Sequence, residues 1–263
     1  VFNYVLVFGK CGLPAMGIGG AAIGSSLAEL VSLLFFIGYT RWHVDFRRYA
    51  LGVVPAVDFA TLRSVLGVSV WVMVQSFVSL STWFIFFVYI EHLGEEPLAV
   101  TNIVRSLSGF LFMIVMAFAS ACSSVVSNMI GAGQTGQVGA AIRRHVWLTY
   151  ACVMPLVAVL ALWPRVFIAI YTDIPQLAAA AVPSVWVMCL SYFVTVPSNI
   201  LFQSVSGTGS TRVAFGLELL TLVFYMAYIT LVIYYMRADV AWAWTSEILY
   251  GAMTLALCYA YLH

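Results

Sequence analysis

Apolar residues fall in seven long runs, near 16–39, 65–90, 98–130, 146–171, 177–205, 213–236 and 240–262, joined by short connections. Each run exceeds the roughly 20 residues that cross a bilayer core, so each predicts a membrane-spanning α-helix. Three of the runs also carry polar residues at helical spacing. Asn102, Arg105, Ser106 and Gly109 recur three and four apart; Ser120, Ser123, Ser124, Ser127 and Asn128 continue that side, with Met113 and Met116 in its middle. Ser191, Thr195, Ser198, Asn199 and Gln203 mark the 177–205 run, and Gln75, Ser79 and Thr82 the 65–90 run. A helix facing only lipid is apolar all round, so each stripe predicts a face turned to protein or to water. Two readings are open. Small hydroxylated residues let helices pack closely and hydrogen-bond, at roughly 0.6–2 kcal/mol per bond. Alternatively the stripe lines an aqueous cavity, with the adaptable Met side chains as apolar contacts.

Composition points the same way: 63% hydrophobic and 8% charged residues lie far from the roughly 45–50% apolar and 25% charged of soluble domains. The mean hydropathy of +1.04 agrees. The expectation is a polytopic membrane protein whose short connections leave no room for a further soluble domain. The opening run, Val1 to Gly9, is too short to span and reads as the tail of a helix. No basic segment precedes it and no Ala-x-Ala site closes it before Pro14, which argues against a cleaved signal. Cys11, Cys122, Cys152, Cys189 and Cys258 have no metal-like spacing, and are read as small hydrophobes.

Lys and Arg mark cytoplasmic connections when loops are short. Arg41, Arg47, Arg48 and Arg63 surround the connection after the 16–39 run, Arg143 and Arg144 follow the 98–130 run, and Arg212 opens the 213–236 run. All fall on one side. Glu91, Glu95 and Glu96 stand on the other, where the cations Lys10, Arg165 and Arg237 are isolated. The longest connection, from Thr40 through Tyr49 to Pro55 and Asp58, mixes basic and aromatic residues as an interfacial segment does, and predicts a linker between two lobes. Asp58 is placed to cap the following helix. Trp147 and Trp163 bracket the 146–171 run; their 16-residue separation corresponds to about 24 Å of helix, the distance between two headgroup belts.

A charge at mid-bilayer costs roughly 2.5–3.5 kcal/mol on insertion scales, and so needs a partner or a task. Glu29, Arg105, Glu218 and Glu247 qualify. The carboxylates could carry a coupling proton or ligate Na⁺; the alternative is a fixed ion pair, for which Arg105 and Glu247 have matching depths. Pro183 and Pro197 interrupt the 177–205 run and Pro155 the 146–171 run, each removing a backbone hydrogen bond. Gly20 to Gly24 is a small-xxx-small face for close packing. No HExxH, paired-Cys or phosphate-loop signature occurs, which disfavours a catalytic or ATP-driven function. Gly207-Thr208-Gly209-Ser210-Thr211-Arg212 reads as a turn with Ser210 or Thr211 as cap.

At these connections the chain resembles the multidrug and toxic compound extrusion (MATE) family. Asn3-Tyr4-Val5-Leu6-Val7-Phe8-Gly9 followed by Gly12 to Ala22 is similar to that family's connection between its fifth and sixth helices. Ser127-Asn128-Met129-Ile130-Gly131-Ala132-Gly133 is similar to the close of its eighth helix, where Gln more often stands at the Asn128 position. Gln203 through Arg212 is similar to its tenth-to-eleventh turn. The motifs are weak singly and specific as a set.

The resemblance implies an all-α, polytopic membrane helix bundle. Residues 1–40 would be the end of an N-terminal lobe (the tail of helix five and helix six), 41–57 a cytoplasmic linker, and 58–263 a six-helix C-terminal lobe. It implies a secondary antiporter in the inner (plasma) membrane that exports amphiphilic, often cationic compounds in exchange for Na⁺ or H⁺ by alternating access. No enzymatic activity, no cofactor beyond the coupling ion and no nucleic acid are expected; the partners are small molecules, the bilayer and a missing N-terminal lobe. Some members carry acids inside the seventh and tenth helices. Here those helices offer Gln75 on one and Asn199 and Gln203 on the other. Coupling would instead use Glu218 or Glu247, or acids of the missing lobe. The residues expected along the pathway are Glu218, Glu247, Glu29, Arg105, Gln75, Asn102, Asn199, Gln203, Met113 and Met116. A lipid-linked oligosaccharide flippase of the wider superfamily and a non-transporting membrane scaffold are the alternatives.

Overall fold

A computed structural model describes residues 2–10, 12, 14–45 and 58–262. Cys11, Arg47, Arg48, Pro55, His263 and most of the expected inter-lobe linker lie outside the described residues. The chain divides into two compact units, Val1–Phe59 and Ala60–His263.

The first unit holds α1 (Phe2–Phe8) and α2 (Gly17–His43). The small-xxx-small face is where they meet: Gly20 and Gly24 are the buried residues of α2. A Cβ on Gly20 would sit 2.5 Å from the Leu6 carbonyl oxygen, and one on Gly24 would collide with Asn3. The missing side chains allow the two backbones to touch.

The second unit is built from α3 (Phe59–Glu91), α4 (Glu95–Gly131), α5 (Val138–Leu162), α6 (Pro164–Ile168), α7 (Pro175–Gly207), α8 (Thr211–Ile229) and α9 (Val240–Leu262). A 3₁₀ turn, Thr135–Gln137, leads into α5 and a π-helical turn, Thr230–Tyr235, prolongs α8. Helix α7 is the central element. Helices α4 and α9 both lie along it, α5 packs on α4 and α7, and α8 packs on α9. On α4 the buried positions Val100, Val104, Leu107, Leu111, Val115, Ala119, Cys122 and Val126 step by three and four, which gives a straight apolar seam toward α7. Near its end the seam tightens: a Cβ on Gly207 would sit 2.7 Å from the Ser123 carbonyl oxygen. Ser127 there donates to the Gly207 carbonyl at 2.6 Å. A second apolar cluster joins Phe86 and Ile90 of α3 to Tyr225 and Ile229 of α8 and Ala243 of α9.

Helix α7 runs unbroken through Pro183 and Pro197, and at Pro197 the freed carbonyl finds another donor. Pro197 has no N–H for the Phe193 carbonyl, four residues earlier. The Tyr150 hydroxyl of α5 donates to that oxygen at 2.5 Å. Similarly, Ala161 is among the last carbonyls of α5, which lack intrahelical partners, and Trp186 Nε1 donates to it at 3.1 Å.

Several details differ from the sequence expectations. Among the described residues, six helices are long and apolar enough to cross a membrane. The seventh run forms α9, which is not one of these six and carries one carboxylate, Glu247. The 146–171 run begins earlier, at Val138, so Arg143 and Arg144 lie within α5; it breaks at Trp163, where Pro164 opens the short α6. In the Gly207–Arg212 turn Ser210 occupies the N-cap position without a side-chain cap bond. The Thr208 hydroxyl accepts from Ser210 N at 3.4 Å, Gly209 supplies the positive φ of 84°, and Thr211 Oγ1 donates to the Val68 carbonyl of α3. Cys122, Cys189 and Cys258 are buried, whereas Cys152 is exposed on the outer side of α5.

Gly207→Val should cost about 1–3 kcal/mol, because its methyl groups have only the α4 backbone to push against. Gly216→Ala, with no neighbour within 4 Å, should be neutral or gain up to about 1 kcal/mol of helix propensity. Thermal unfolding of the detergent-solubilised protein checks the contrast, and equal midpoints would contradict it.

Candidate functional site

A cavity of about 430 Å³ opens among α3, α4, α7, α8 and α9. Each helix contributes one face. From α7 come Ser191, Tyr192, Thr195, Ser198 and Asn199, so most of the polar stripe read on that run borders the cavity. From α3 come Ser76, Ser79, Thr82 and Trp83, and from α4 Arg105, Ser108, Gly109 and Phe112. Helices α8 and α9 close it with Glu218, Tyr225, Trp244, Glu247 and Tyr250. The wall is thus aromatic and hydroxylated, with two carboxylates and one guanidinium.

The α7 hydroxyls turn back onto their own helix. Thr195 Oγ1 donates to the Ser191 carbonyl at 2.9 Å, and Asn199 Nδ2 to the Thr195 carbonyl at 2.8 Å. The Thr195 hydroxyl thereby spends its one donor within its own helix, and Asn199 spends one of its two. Tyr192 is fixed differently: its hydroxyl donates to the Ser108 carbonyl at 2.8 Å, tying α7 to α4.

The two acids have unequal surroundings. Glu218 is 5% exposed. Ser79 Oγ donates to its Oε1 at 2.5 Å and Tyr250 OH to the same oxygen at 3.1 Å; Gln75 Nε2 reaches Oε2 at 3.5 Å. Donors from α3 and α9 therefore converge on one carboxylate of α8. Glu247 is half-buried and, among the described residues, accepts only from Tyr225 OH, at 3.5 Å. The arrangement is reciprocal, each acid meeting a tyrosine of the other's helix, and the two rings stand edge to face with centroids 6.0 Å apart.

Of the residues expected along the pathway, Glu218, Glu247, Arg105 and Asn199 border the cavity, and Gln75 reaches it through Glu218. Arg105 does not pair with Glu247. Its guanidinium donates to Asn102 Oδ1 at 3.3 Å and lies 5.2 Å from the Phe87 ring centre, which corrects the ion pair considered from their matching depths. Asn102 itself is spent on Arg105 and on the Leu98 carbonyl. Met113 is exposed, Met116 half-buried and Gln203 half-buried, all outside the cavity lining. Glu29 is exposed on α2, in the other unit. The polar stripe of α4 is mostly exposed, and Ser106, Ser124 and Asn128 satisfy themselves on carbonyls one turn back.

Sequence reasoning missed Tyr225 and Tyr250. The signal was present: Tyr250 lies three residues after Glu247 and Tyr225 seven after Glu218, both spacings that keep a residue on one helical face. Among the described residues no group of three or more His, Cys, Asp or Glu is placed to hold a metal ion.

The family model described as MatE matches residues 72–231, more than half of the chain. The chain belongs to the MatE family. It is similar to the probable multidrug resistance protein NorM of Thermotoga maritima, 26% identical over 212 residues, covering 80% of this chain and 45% of that protein. The corresponding protein of a Synechococcus species is also 26% identical, over 232 residues, covering 83% of this chain and 48% of that one. The chain thus spans about half the length of these MatE relatives. Among solved structures, a MATE protein in the straight conformation superposes with a TM-score of 0.80 at 15% identity, over 99% of this chain and 59% of that one. An outward-facing multidrug resistance MATE transporter of the MOP superfamily gives 0.68 at 15% identity, over 74% and 43%. At that identity the likeness is one of fold: an all-α bundle of apolar helices. Family and helices together make the chain a multi-pass membrane protein.

Ser79→Ala removes the shortest bond to a buried carboxylate and should cost about 1–3 kcal/mol. Ser81→Ala, whose exposed hydroxyl donates only to the Phe77 carbonyl of its own helix, should stay within about 0.5 kcal/mol of wild type. Apparent melting temperatures of the two variants decide it; indistinguishable values would mean that the Glu218 cluster carries no stabilising role.

Proposed function

We propose that this MatE chain forms part of a secondary antiporter of the plasma membrane that exports amphiphilic, often cationic small molecules in exchange for Na⁺ or H⁺. The observation that carries the reading is the cavity itself. Glu218 on α8 and Glu247 on α9 border it, and ionisable groups within a membrane-spanning bundle mark transport pathways. Trp83, Phe112, Tyr192 and Trp244 line the same space, as suits ligands recognised by apolar area and charge rather than by a fixed hydrogen-bond pattern. The NorM relatives are named probable multidrug resistance proteins, which supports a role with small molecules. Alternating access would set this cavity against a second lobe, with the Arg-bearing connections in the cytoplasm and the Glu91–Glu96 turn outside.

Glu218 is the group we assign to the exchange step, since a carboxylate ringed by hydroxyl and amide donors can trade its proton or its cation without leaving the protein's own hydrogen bonds. The reading includes no enzymatic step. A flippase for lipid-linked oligosaccharides would need cations for the pyrophosphate group, and the cavity sets one guanidinium, Arg105, against two carboxylates. A scaffold without transport would have no use for charges placed at this depth.

Ethidium efflux from cells expressing the full-length protein under imposed Na⁺ or H⁺ gradients tests the proposal. Wild type should respond to one gradient, and Glu218→Gln should reduce the driven component about tenfold or more at equal expression, the effect of about 1.4 kcal/mol or more. Efflux that ignores both gradients would overturn the antiport reading.

A further inference from the structure

The two carboxylates of the cavity differ in what they leave unfilled. An ionised carboxylate offers about four lone-pair sites. At Glu218 three donors from α3 and α9 already occupy both oxygens, and the group is 5% exposed. Little of it is presented to anything as large as an organic molecule. Glu247 has one donor, Tyr225 OH, at the 3.5 Å limit of a hydrogen bond. Its second oxygen has no hydrogen-bond partner among the described residues, and it is half-buried on the cavity wall.

A carboxylate this poorly satisfied within a membrane-spanning bundle stays ionised only beside a counter-charge. The only cation on the same wall is committed elsewhere, since Arg105 is held by Asn102 and the Phe87 ring. Around Glu247 the wall is aromatic: Trp244 lies one turn before it, edge to face with Trp83 at 6.5 Å, and Tyr225 and Tyr250 flank it. Trp244 and Tyr225 are themselves buried, and Trp83, Phe112 and Tyr250 are the lining aromatics with exposed area; with a carboxylate they favour a flat cation with delocalised charge. The cavity volume of about 430 Å³ lies within the range of small-molecule sites.

We infer that the acids divide the work, with Glu247 as the specificity-determining residue that receives the positive charge of the transported compound, and Glu218 kept out of substrate contact by its donors. This rests on the transporter reading above. It predicts that cationic compounds are selected at α9, by one side chain, and that the exchange step is chemically separate from that selection.

The test is ethidium binding to the purified full-length protein, read by fluorescence polarisation. Glu247→Gln should raise the ethidium Kd about tenfold or more, the usual loss for an ion pair within a low-dielectric site. Glu247→Asp, which keeps the charge, should stay within about threefold and shows that the fold tolerates change at that position. Glu218→Gln should cost less affinity than Glu247→Gln. An unchanged Kd in Glu247→Gln, an equal loss in Glu247→Asp, or a loss in Glu218→Gln as large as that in Glu247→Gln would each overturn the assignment. Binding that depends on Glu247 in a protein showing no gradient-driven efflux would uphold the charge seat and remove the antiport reading beneath it.

Discussion

A carboxylate placed within lipid-spanning helices has to find its hydrogen bonds inside the protein, and in this chain that requirement shapes the second unit. Glu218 sits on α8 and draws donors from α3 and α9. Helix α3 meets α8 and α9 through long side chains: Ser79 and Gln75 at Glu218, Trp71 against Phe215 at 5.6 Å, and Trp83 against Trp244. On the other side, α4, α7 and α9 approach far more closely, through Gly207 on Ser123 and Gly251 on Val194. A wall held by small residues facing one held by long polar and aromatic ones leaves a gap between them, and the gap is the cavity.

The backbone obeys the same rule. No water reaches the centre of a bilayer to satisfy a freed carbonyl, so prolines in α7 require donors from neighbouring helices. Tyr150 supplies one for Phe193 opposite Pro197, and Trp186 of α7 returns the service at the end of α5. These bonds tie α7 to α5 and satisfy the carbonyl opposite Pro197. The π-helical turn after α8 is the place where regular hydrogen bonding loosens, beside Thr230 and its 3.5 Å contact with Tyr89 OH; such turns recur at functional positions.

Much of this was legible in the residues. Long apolar runs gave the helices, because crossing a bilayer sets a minimum length that the sequence records directly. Of the stripe on α7, Ser191, Thr195, Ser198 and Asn199 border the cavity and Gln203 does not. The similar stripe on α4 does so only at Arg105 and its neighbours Ser108 and Gly109, because periodicity identifies a face of one helix and is silent about which helix stands opposite. Depth along the chain also failed for Arg105 and Glu247. Equal depth permits a pair, but side-chain direction decides it, and Arg105 turns toward Asn102 and Phe87. The tyrosines that meet the acids were legible only as spacing along their own helices; in a chain with 14 Tyr residues, which acid each one meets is decided by the neighbouring helix, as Tyr250 on Glu218 and Tyr225 on Glu247 show.

The central claim is that the space among α3, α4, α7, α8 and α9 is a water-accessible pathway for compounds of this MatE chain, which thiol accessibility tests directly. In a cysteine-free background of the full-length protein, Asn199→Cys on the cavity wall and Leu190→Cys on the exposed side of α7 are treated in membranes with a charged, water-soluble thiol reagent. The account predicts that Asn199→Cys reacts, that ethidium protects it, and that Leu190→Cys, facing lipid, stays inert. Equal inertness of the two cysteines would mean that the cavity is dry, and would contradict the account.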